Sequence, residues 1–371
     1  MMQALWILIG TIILIIVVLL NTVFVMWLER KVLGHIQGRL GPMRTGFHGL
    51  MQPFADALKI LGKEDIIPAG ADRVLFLVAP IIAFTPSILV YAATPWVSMF
   101  AGDSLDVGVF FVFAVVALFP VGILVGGWAS HNKYSMIGGF RAASQQISYE
   151  VPMILSVMGL VMLAGSMKIS AIVAWQSSGL WNILTQPFAF ALYFIAILAE
   201  LNRTPFDMPE AESELVGGFN TEYSSMRFAL FFVAEYANMF TWSLITVLLF
   251  FGGWTGPGLI GFATLLLKTY AVVFLVIWVR ATIPRIRVDQ LMALGWKLLL
   301  PAALFNVLLT AVGIVTNVWV LIGLQLVALV ALVWLIGRLG LFAGDDERAR
   351  ANEVLRVQAA EMNKASKEVA A

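Results

Sequence analysis

Asp207, Glu210, Glu212, Glu214 and Glu222 crowd one polar stretch, TPFDMPEAESELVGGFNTEYSSMR (204–227). Three more acids, Glu150, Glu200 and Glu235, lie inside the strongly apolar runs that flank it. The nearest basic residues are at its margins, Arg203 just before it and Arg227 at its end. A charged carboxylate within a membrane is costly, so such residues face a bundle interior and mark ion or proton paths. Burial and like-charged neighbours shift carboxyl protonation, and a carboxyl that exchanges its proton near neutral pH can hand it on. The chemistry this pattern suggests is a hydrated row of proton-carrying acids. It would open at 204–227 and continue through Glu200, Glu150 and Glu235.

Structural alternatives stand beside that reading. Asp207 could cap a helix, with Glu210 three residues on completing a capping box and Pro209 in the first turn. Asp207, Glu210 and Glu214 fall at i, i+3 and i+7 and would share one helical face, where like charges repel unless protonated, hydrated or paired. Glu212 would point elsewhere. Glu150 and Glu200 could be ordinary partners of Arg141 and Arg203. Glu235 has no basic residue within one helical turn, which favours the relay role there. Gly217 and Gly218 could be hinges, or could serve only close packing.

The elements that must position these residues follow from composition. The chain has 371 residues, 61% of them hydrophobic and 12% charged. A soluble domain carries about 25% charged residues. Several uncharged runs reach the roughly 20 residues that a helix needs to cross a bilayer. Backbone groups in hydrocarbon must pair internally, so helices are the spanning form that fits. The expected fold is an all-α polytopic membrane protein with about nine transmembrane helices, near 4–28, 74–98, 108–130, 149–167, 181–201, 227–251, 261–281, 297–315 and 318–337. The first run is too long for a signal peptide and lacks a basic start, so it reads as a retained span. Of the 23 Lys and Arg, all but Lys168 and Lys268 fall in the odd-numbered loops and the C-terminal tail. The positive-inside rule then places the N-terminus outside and the C-terminus in the cytoplasm. Residues 1–340 would form one transmembrane domain and 341–371 a charged, alanine-rich cytoplasmic tail. A net charge of +1 gives no reason to expect a nucleic-acid partner.

The first loop, ERKVLGHIQGRLGPMRTGFHGLMQPFADALKILGKED (29–65), is rich in glycine and then places Leu50, Phe54, Leu58 and Leu61 at helical spacing. That is an amphipathic surface segment following the first helix. It could be a loop anchored at lipid phosphates by its lysines, a docking surface, or the rim of a ligand opening. No P-loop, dinucleotide-binding glycine motif or HExxH motif is present. The absence of cysteine excludes disulfides and cysteine-ligated iron–sulfur clusters within this chain. His35, His48 and His131 all fall in loops and read as loop polars rather than haem ligands.

Two long motifs, the 29–65 loop and AELNRTPFDMPEAESELVGGFNTEYSSMRFALFFVAEY (199–236), carry a resemblance. Two shorter ones, NKYSMIGGFRAASQQISYE (132–150) and RIRVDQLMALGWKLLLP (285–301), add to it. The chain resembles the membrane subunit of proton-pumping NADH:quinone oxidoreductase (complex I), called subunit 1 in mitochondria and the H subunit in bacteria. The resemblance covers about residues 4–315. It implies a non-redox membrane subunit that forms the quinone-chamber entrance at the peripheral-arm junction and couples quinone reduction to proton translocation. By motif position, Glu150, Glu200, Asp207, Glu210, Glu212, Glu214, Glu222 and Glu235 would be the acidic path. Arg30, Arg39, Asp56, Lys59, Arg203, Phe219 and Arg287 would lie at the quinone chamber or the arm interface. Quinone would be a substrate, with no covalently bound cofactor and no metal. Flavin and iron–sulfur clusters would reside only in partner subunits.

The implied partners are the peripheral-arm iron–sulfur and quinone-site subunits, the small membrane subunits, the antiporter-like subunits and the lipid of a bacterial inner membrane. Met208 and Gly217 depart from the residues familiar in the family, Leu and Ala, without consequence for the mechanism. The same motifs leave room for the equivalent subunit of a ferredoxin-, F420- or hydrogenase-linked complex. Intramembrane acids alone would also suit a stand-alone ion-coupled transporter, although no internal repeat is visible.

Overall fold

The structure, a computed structural model, describes residues 2–94, 105–209, 212–256, 258–338 and 353. The described residues are all-α, as expected. The chain divides into two compact units, Met1–Leu326 and Val327–Ala371. Of the second, the helix end up to Arg338 is described, with the Arg338 guanidinium 5.0 Å over the Trp334 ring. The tail beyond 338 lies outside the described residues, Glu353 excepted.

Eight described helices are long and apolar enough to cross a membrane. They are α1 (Met2–Ile36), α3 (Arg73–Leu89, extended by a 3-10 turn to Ala93), α4 (Gly108–Ala129), α5 (Lys133–Ala164), α9 (Ser225–Phe250), α10 (Gly258–Thr282), α11 (Val288–Val315) and α12 (Val318–Arg338). Four shorter helices join them: α2 (Gln52–Leu61), α6 (Ile169–Ser177), α7 (Pro187–Glu200) and α8 (Glu212–Leu215). The central element is α9, with 72% of its most apolar window buried, against 22% for α1. It packs on α1, α3, α10 and α2.

Two expected spans differ most from the helices that form, while the first runs on to Ile36 and the eighth starts earlier, at Val288. The fifth, 181–201, becomes a single turn, Asn182–Thr185, followed by the 14-residue α7. Pro187 starts α7, because its fixed φ and missing N–H suit a first turn and break the segment before it. At about 1.5 Å per residue α7 is about 21 Å long, shorter than a hydrocarbon core of about 30 Å. The fourth, expected from 149, starts at Lys133 and runs 32 residues. Its first half holds Ser135, Gln145, Gln146 and Ser148, all buried. Hydropathy misses this half because its polar groups face protein rather than lipid.

Caps and small residues fix the joins. Asp72 accepts from the amides of Val74 (3.1 Å) and Leu75 (3.3 Å) to start α3. Asn132 accepts from Tyr134 N at 2.9 Å to start α5, and Gly165, at φ 64°, ends it. Glycines let backbones approach, the usual device where lipid gives helices no hydrophobic drive to associate. A methyl on Gly122 would stand 2.6 Å from Ala83 N, so α4 meets α3 there. A methyl on Gly138 would stand 2.7 Å from Phe219 N, so the 216–224 loop lies directly on α5. Gly218 sits at that contact with φ 60°, which supports the packing role over the hinge.

Gly138→Ala must push the Phe219 segment away. It should lower stability by about 1–3 kcal/mol, as overpacked contacts do. The apparent melting temperature of the purified protein should fall, whereas Gly62→Ala, with its nearest atom 3.7 Å away, should leave it unchanged.

Candidate functional site

The site gathers around the C-terminal end of α7. The last carbonyls of any helix lack partners within it, and α5 supplies them. Gln145 Nε2 donates to Ala199 O (2.7 Å), to Phe206 O (2.8 Å) and to Asn202 Oδ1 (3.1 Å). Gln146 Nε2 donates to Glu200 O at 3.2 Å. This clamp fixes Glu200, which is 4% exposed. Its Oε2 has no hydrogen-bond partner among the described residues. Glu150, half-buried on α5, is close enough for the two carboxyls to interact electrostatically. No ion pair holds either of them among the described residues. Glu235 is buried on α9, one residue before Tyr236. One turn further on, Asn238 Oδ1 accepts from Ser87 Oγ at 2.9 Å.

The arginines that could have neutralised Glu150 and Glu200 are committed elsewhere. Arg141 Nη1 donates to Glu214 Oε2 at 2.6 Å, and Arg285 Nη2 lies 3.3 Å from Glu214 Oε1. Arg203 Nη1 lies 3.6 Å from Glu29 Oε1, and its guanidinium sits 4.5 Å over the Tyr236 ring. Arg280 pairs with the same Glu29 oxygen. Glu29 is 1% exposed, about two turns before the C-terminal end of α1. The expected set of site residues omitted it. Its signal was an acid set at the end of the first apolar run, opposite the arginine that closes the seventh, Arg280.

The 204–227 stretch is mostly irregular. Residues 204–209 are non-helical, and the next described helix is α8, from Glu212. Asp207, half-buried, therefore does not cap a continuous helix, and it does not share a helical face with Glu214. Pro205 and Pro209, without amide donors, oppose helix there. Glu210 lies outside the described residues, as does the side chain of Glu212. Glu222 accepts from Asn132 Nδ2 at 2.6 Å, tying the loop to the start of α5.

The residues assigned to the chamber or arm interface separate into two groups. Arg30 pairs with Asp56, and Gln52 Nε2 donates to Asp56 at 3.0 Å, so α1 holds α2 by charge. Burial would raise the Asp56 carboxyl, but the hydrogen bonds from Arg30 and Gln52 and the charges of Arg30 and Lys59 outweigh it and hold it below its ordinary range. Leu58 and Leu61 are exposed on α2, as an amphipathic surface helix requires. Arg39, bonded to Gln37 Oε1 at 2.7 Å, Lys59 and Arg287 are exposed. Phe219, by contrast, is buried edge-to-face against Phe231 at 5.2 Å and packs the core.

Eight long apolar helices, with a buried and a half-buried acid standing apart from arginine-paired acids, define a polytopic membrane protein that carries charge among its helices. The chain belongs to the NADH dehydrogenase family, whose sequence pattern it matches over residues 9–311. It is 47% identical over 316 residues to an H subunit, numbered 1, of the NADH-quinone oxidoreductase of Geobacter sulfurreducens, covering 80% of this chain and 91% of that one. It is 50% identical over 307 residues to the corresponding H subunit of Geobacillus thermodenitrificans, covering 81% and 91%. It is 49% identical over 316 residues to that of Brevibacillus brevis, covering 83% and 93%.

Removing the Glu29 charge takes from Arg203 and Arg280 the buried carboxylate that both face. Glu29→Gln should cost about 3–5 kcal/mol, read as a lower apparent melting temperature and reduced yield. Adding Arg280→Gln should cost less than the sum of the single changes, because the pair acts as a unit.

Glu214 gives a pH-dependent prediction. The hydrogen bond from Arg141 holds its carboxyl below 4.5; slight burial opposes this and Arg285 adds to it. A depressed folded-state value means that the bridge's contribution is present above about pH 4.5 and is lost as pH falls through the depressed value. The melting-temperature difference between wild type and Glu214→Gln should be constant from about pH 6 to 8 and vanish on acidification below the carboxylate range. Glu214 is 48% exposed, so the effect is modest.

Proposed function

We propose that the chain is the H-type membrane subunit of a proton-translocating NADH-quinone oxidoreductase, in which it links quinone reduction to proton movement through its buried carboxyls. The family membership and the eight apolar helices support its place as a multi-pass membrane subunit of such an oxidoreductase complex, in the bacterial inner membrane. The observation that carries the coupling role is the Glu150–Glu200 pair, set in membrane helices with no ion pair to a cation among the described residues. Buried intramembrane carboxyls of that kind serve proton relays.

In this reading the exposed apolar face of α2 and the apolar outer face of α1 border the entrance for the quinone's hydrocarbon tail. The Arg30–Asp56 pair holds that entrance in shape. Arg39, Lys59 and Arg287 present charge to the peripheral-arm subunits, on the cytoplasmic side. Those subunits carry the flavin and iron–sulfur clusters that deliver electrons. Charge arriving near the quinone head acts on the Glu29–Arg203–Arg280 group. Arg203 follows Glu200 by three residues, and a shift of its guanidinium would be relayed to Glu200 through that connecting segment. The proton then passes between Glu200 and Glu150 and along α9 by way of Glu235, towards the neighbouring membrane subunits.

Glu235→Gln keeps the side chain's shape and removes its ability to release a proton. NADH:quinone reductase activity and subunit content should persist, while proton pumping in reconstituted vesicles should fall to a small fraction of wild type. Full pumping in an assembled Glu235→Gln complex would remove Glu235 from the path.

A further inference from the structure

The ends of three spans border an open polar recess away from the Glu150–Glu200 pair. Its volume is about 450 Å³, against about 30 Å³ for one water in the liquid. Its walls are the Pro68–Gly70 turn before α3, the 130–133 turn between α4 and α5, and Glu222. Because α3 begins at Arg73, α4 ends at Ala129 and α5 begins at Lys133, the recess lies where spans leave the apolar layer. That is the depth of lipid headgroups.

Its charges have both signs. His131 and Lys133 supply nitrogen donors. Glu222 supplies a carboxylate; Asn132 Nδ2 engages its Oε1 at 2.6 Å, which orients the group. A simple anion would meet Glu222, and a simple cation would meet Lys133. The lining instead complements a zwitterion with an anionic group and an N–H-bearing cation close together. The surroundings are those of a lipid's glycerol and upper acyl chains. Trp128 is 59% exposed at the end of α4, and Tyr134, exposed at the start of α5, has the Lys133 ammonium 5.4 Å from its ring centroid. Aromatic side chains of this kind collect at membrane–water interfaces.

We propose that this recess is a binding site for phosphatidylethanolamine. The lipid phosphate accepts hydrogen bonds from Lys133 and His131. The ethanolamine ammonium donates to Glu222. The acyl chains descend past Trp128 and Tyr134. Phosphatidylcholine lacks the N–H donors that Glu222 requires, and phosphatidylglycerol lacks the cation.

The test is native mass spectrometry of the intact complex, exchanged into nanodiscs of phosphatidylethanolamine, phosphatidylcholine or phosphatidylglycerol. The wild-type complex should retain phosphatidylethanolamine over the other two. Lys133→Ala and Glu222→Gln should each weaken that retention by about tenfold, the loss of one charge-assisted hydrogen bond. Glu222→Gln should also raise retention of phosphatidylglycerol. Equal retention of all three lipids by wild type would overturn the assignment. So would phosphatidylethanolamine retention that neither substitution changes, or a map of the complex in which a neighbouring subunit's side chains fill the recess. The wild-type lipid series needs no variant, so it decides the matter even where a substituted complex fails to assemble.

Discussion

A helix that stops short inside an apolar layer leaves carbonyl groups that water cannot reach, and the rest of this site is organised around meeting that need. α7 is 14 residues long. Gln145 Nε2 reaches its Ala199 O together with Asn202 Oδ1 and Phe206 O just beyond its end, and Gln146 Nε2 reaches Glu200 O. An unpaired backbone group in this setting would cost several kcal/mol. The clamp therefore fixes both where α7 ends and where the chain goes next. Glu200 is the last residue of the helix, and Arg203 follows within one turn's length of chain. The same constraint explains the polar first half of α5: its Gln and Ser side chains face the end of α7 and the start of α11. Tyr149 OH donates to Leu291 O at 2.8 Å, and Trp296 Nε1 donates to Ser148 Oγ at 3.0 Å, beside the π-helical Leu294–Leu299.

The second organising fact is how charge is compensated. At the rim, Glu214 is half exposed and shared by two arginines. Further in, Glu29 is buried and faces Arg203 and Arg280. Along α5 and α7, Glu150 and Glu200 have each other and no paired arginine among the described residues. Burying an ion pair recovers less than its desolvation costs unless the geometry is good, so the Glu29 group is held by more than charge. Tyr236 supplies a ring face to Arg203, and α9, the most buried span, supplies Tyr236.

The broad fold was legible in the sequence because membrane helices announce themselves by long uncharged runs, and the all-α class follows from that alone. What was not legible is instructive. The start of α5 at Lys133 was hidden because Ser135, Gln145 and Gln146 look like loop residues until their protein partners are known. The shortness of α7 was hidden because residues before Pro187 give hydropathy no clear break from those after it. Among the site residues, Glu150, Glu200 and Glu235 stood out by being acids in apolar runs, a signal that needs no knowledge of neighbours. Glu29 did not stand out, since its partners come from chain positions more than 170 residues away. The helical face drawn through Asp207, Glu210 and Glu214 was spacing without a helix; two prolines and a run of turns occupy that ground.

These contrasts bear on why the chain separates its acids into paired and unpaired sets. A carboxylate gripped by arginine holds a fixed charge across the neutral range, as at Glu214 and Asp56, and so can position a loop or a surface helix but cannot carry protons there. A carboxyl without a cation can change its proton count, but each change alters the local field and must be felt by something nearby. Arg203, which faces Glu29 and Tyr236, is borne by a segment that Gln145 and Gln146 hold at Ala199, Glu200 and Asn202. In the proposed coupling, a charge shift at the arginine group and a protonation change at Glu200 would be two sides of one free energy, each driving the other equally. The Gln145 clamp makes that coupling tight, because it leaves the segment between Glu200 and Arg203 no freedom to absorb the change.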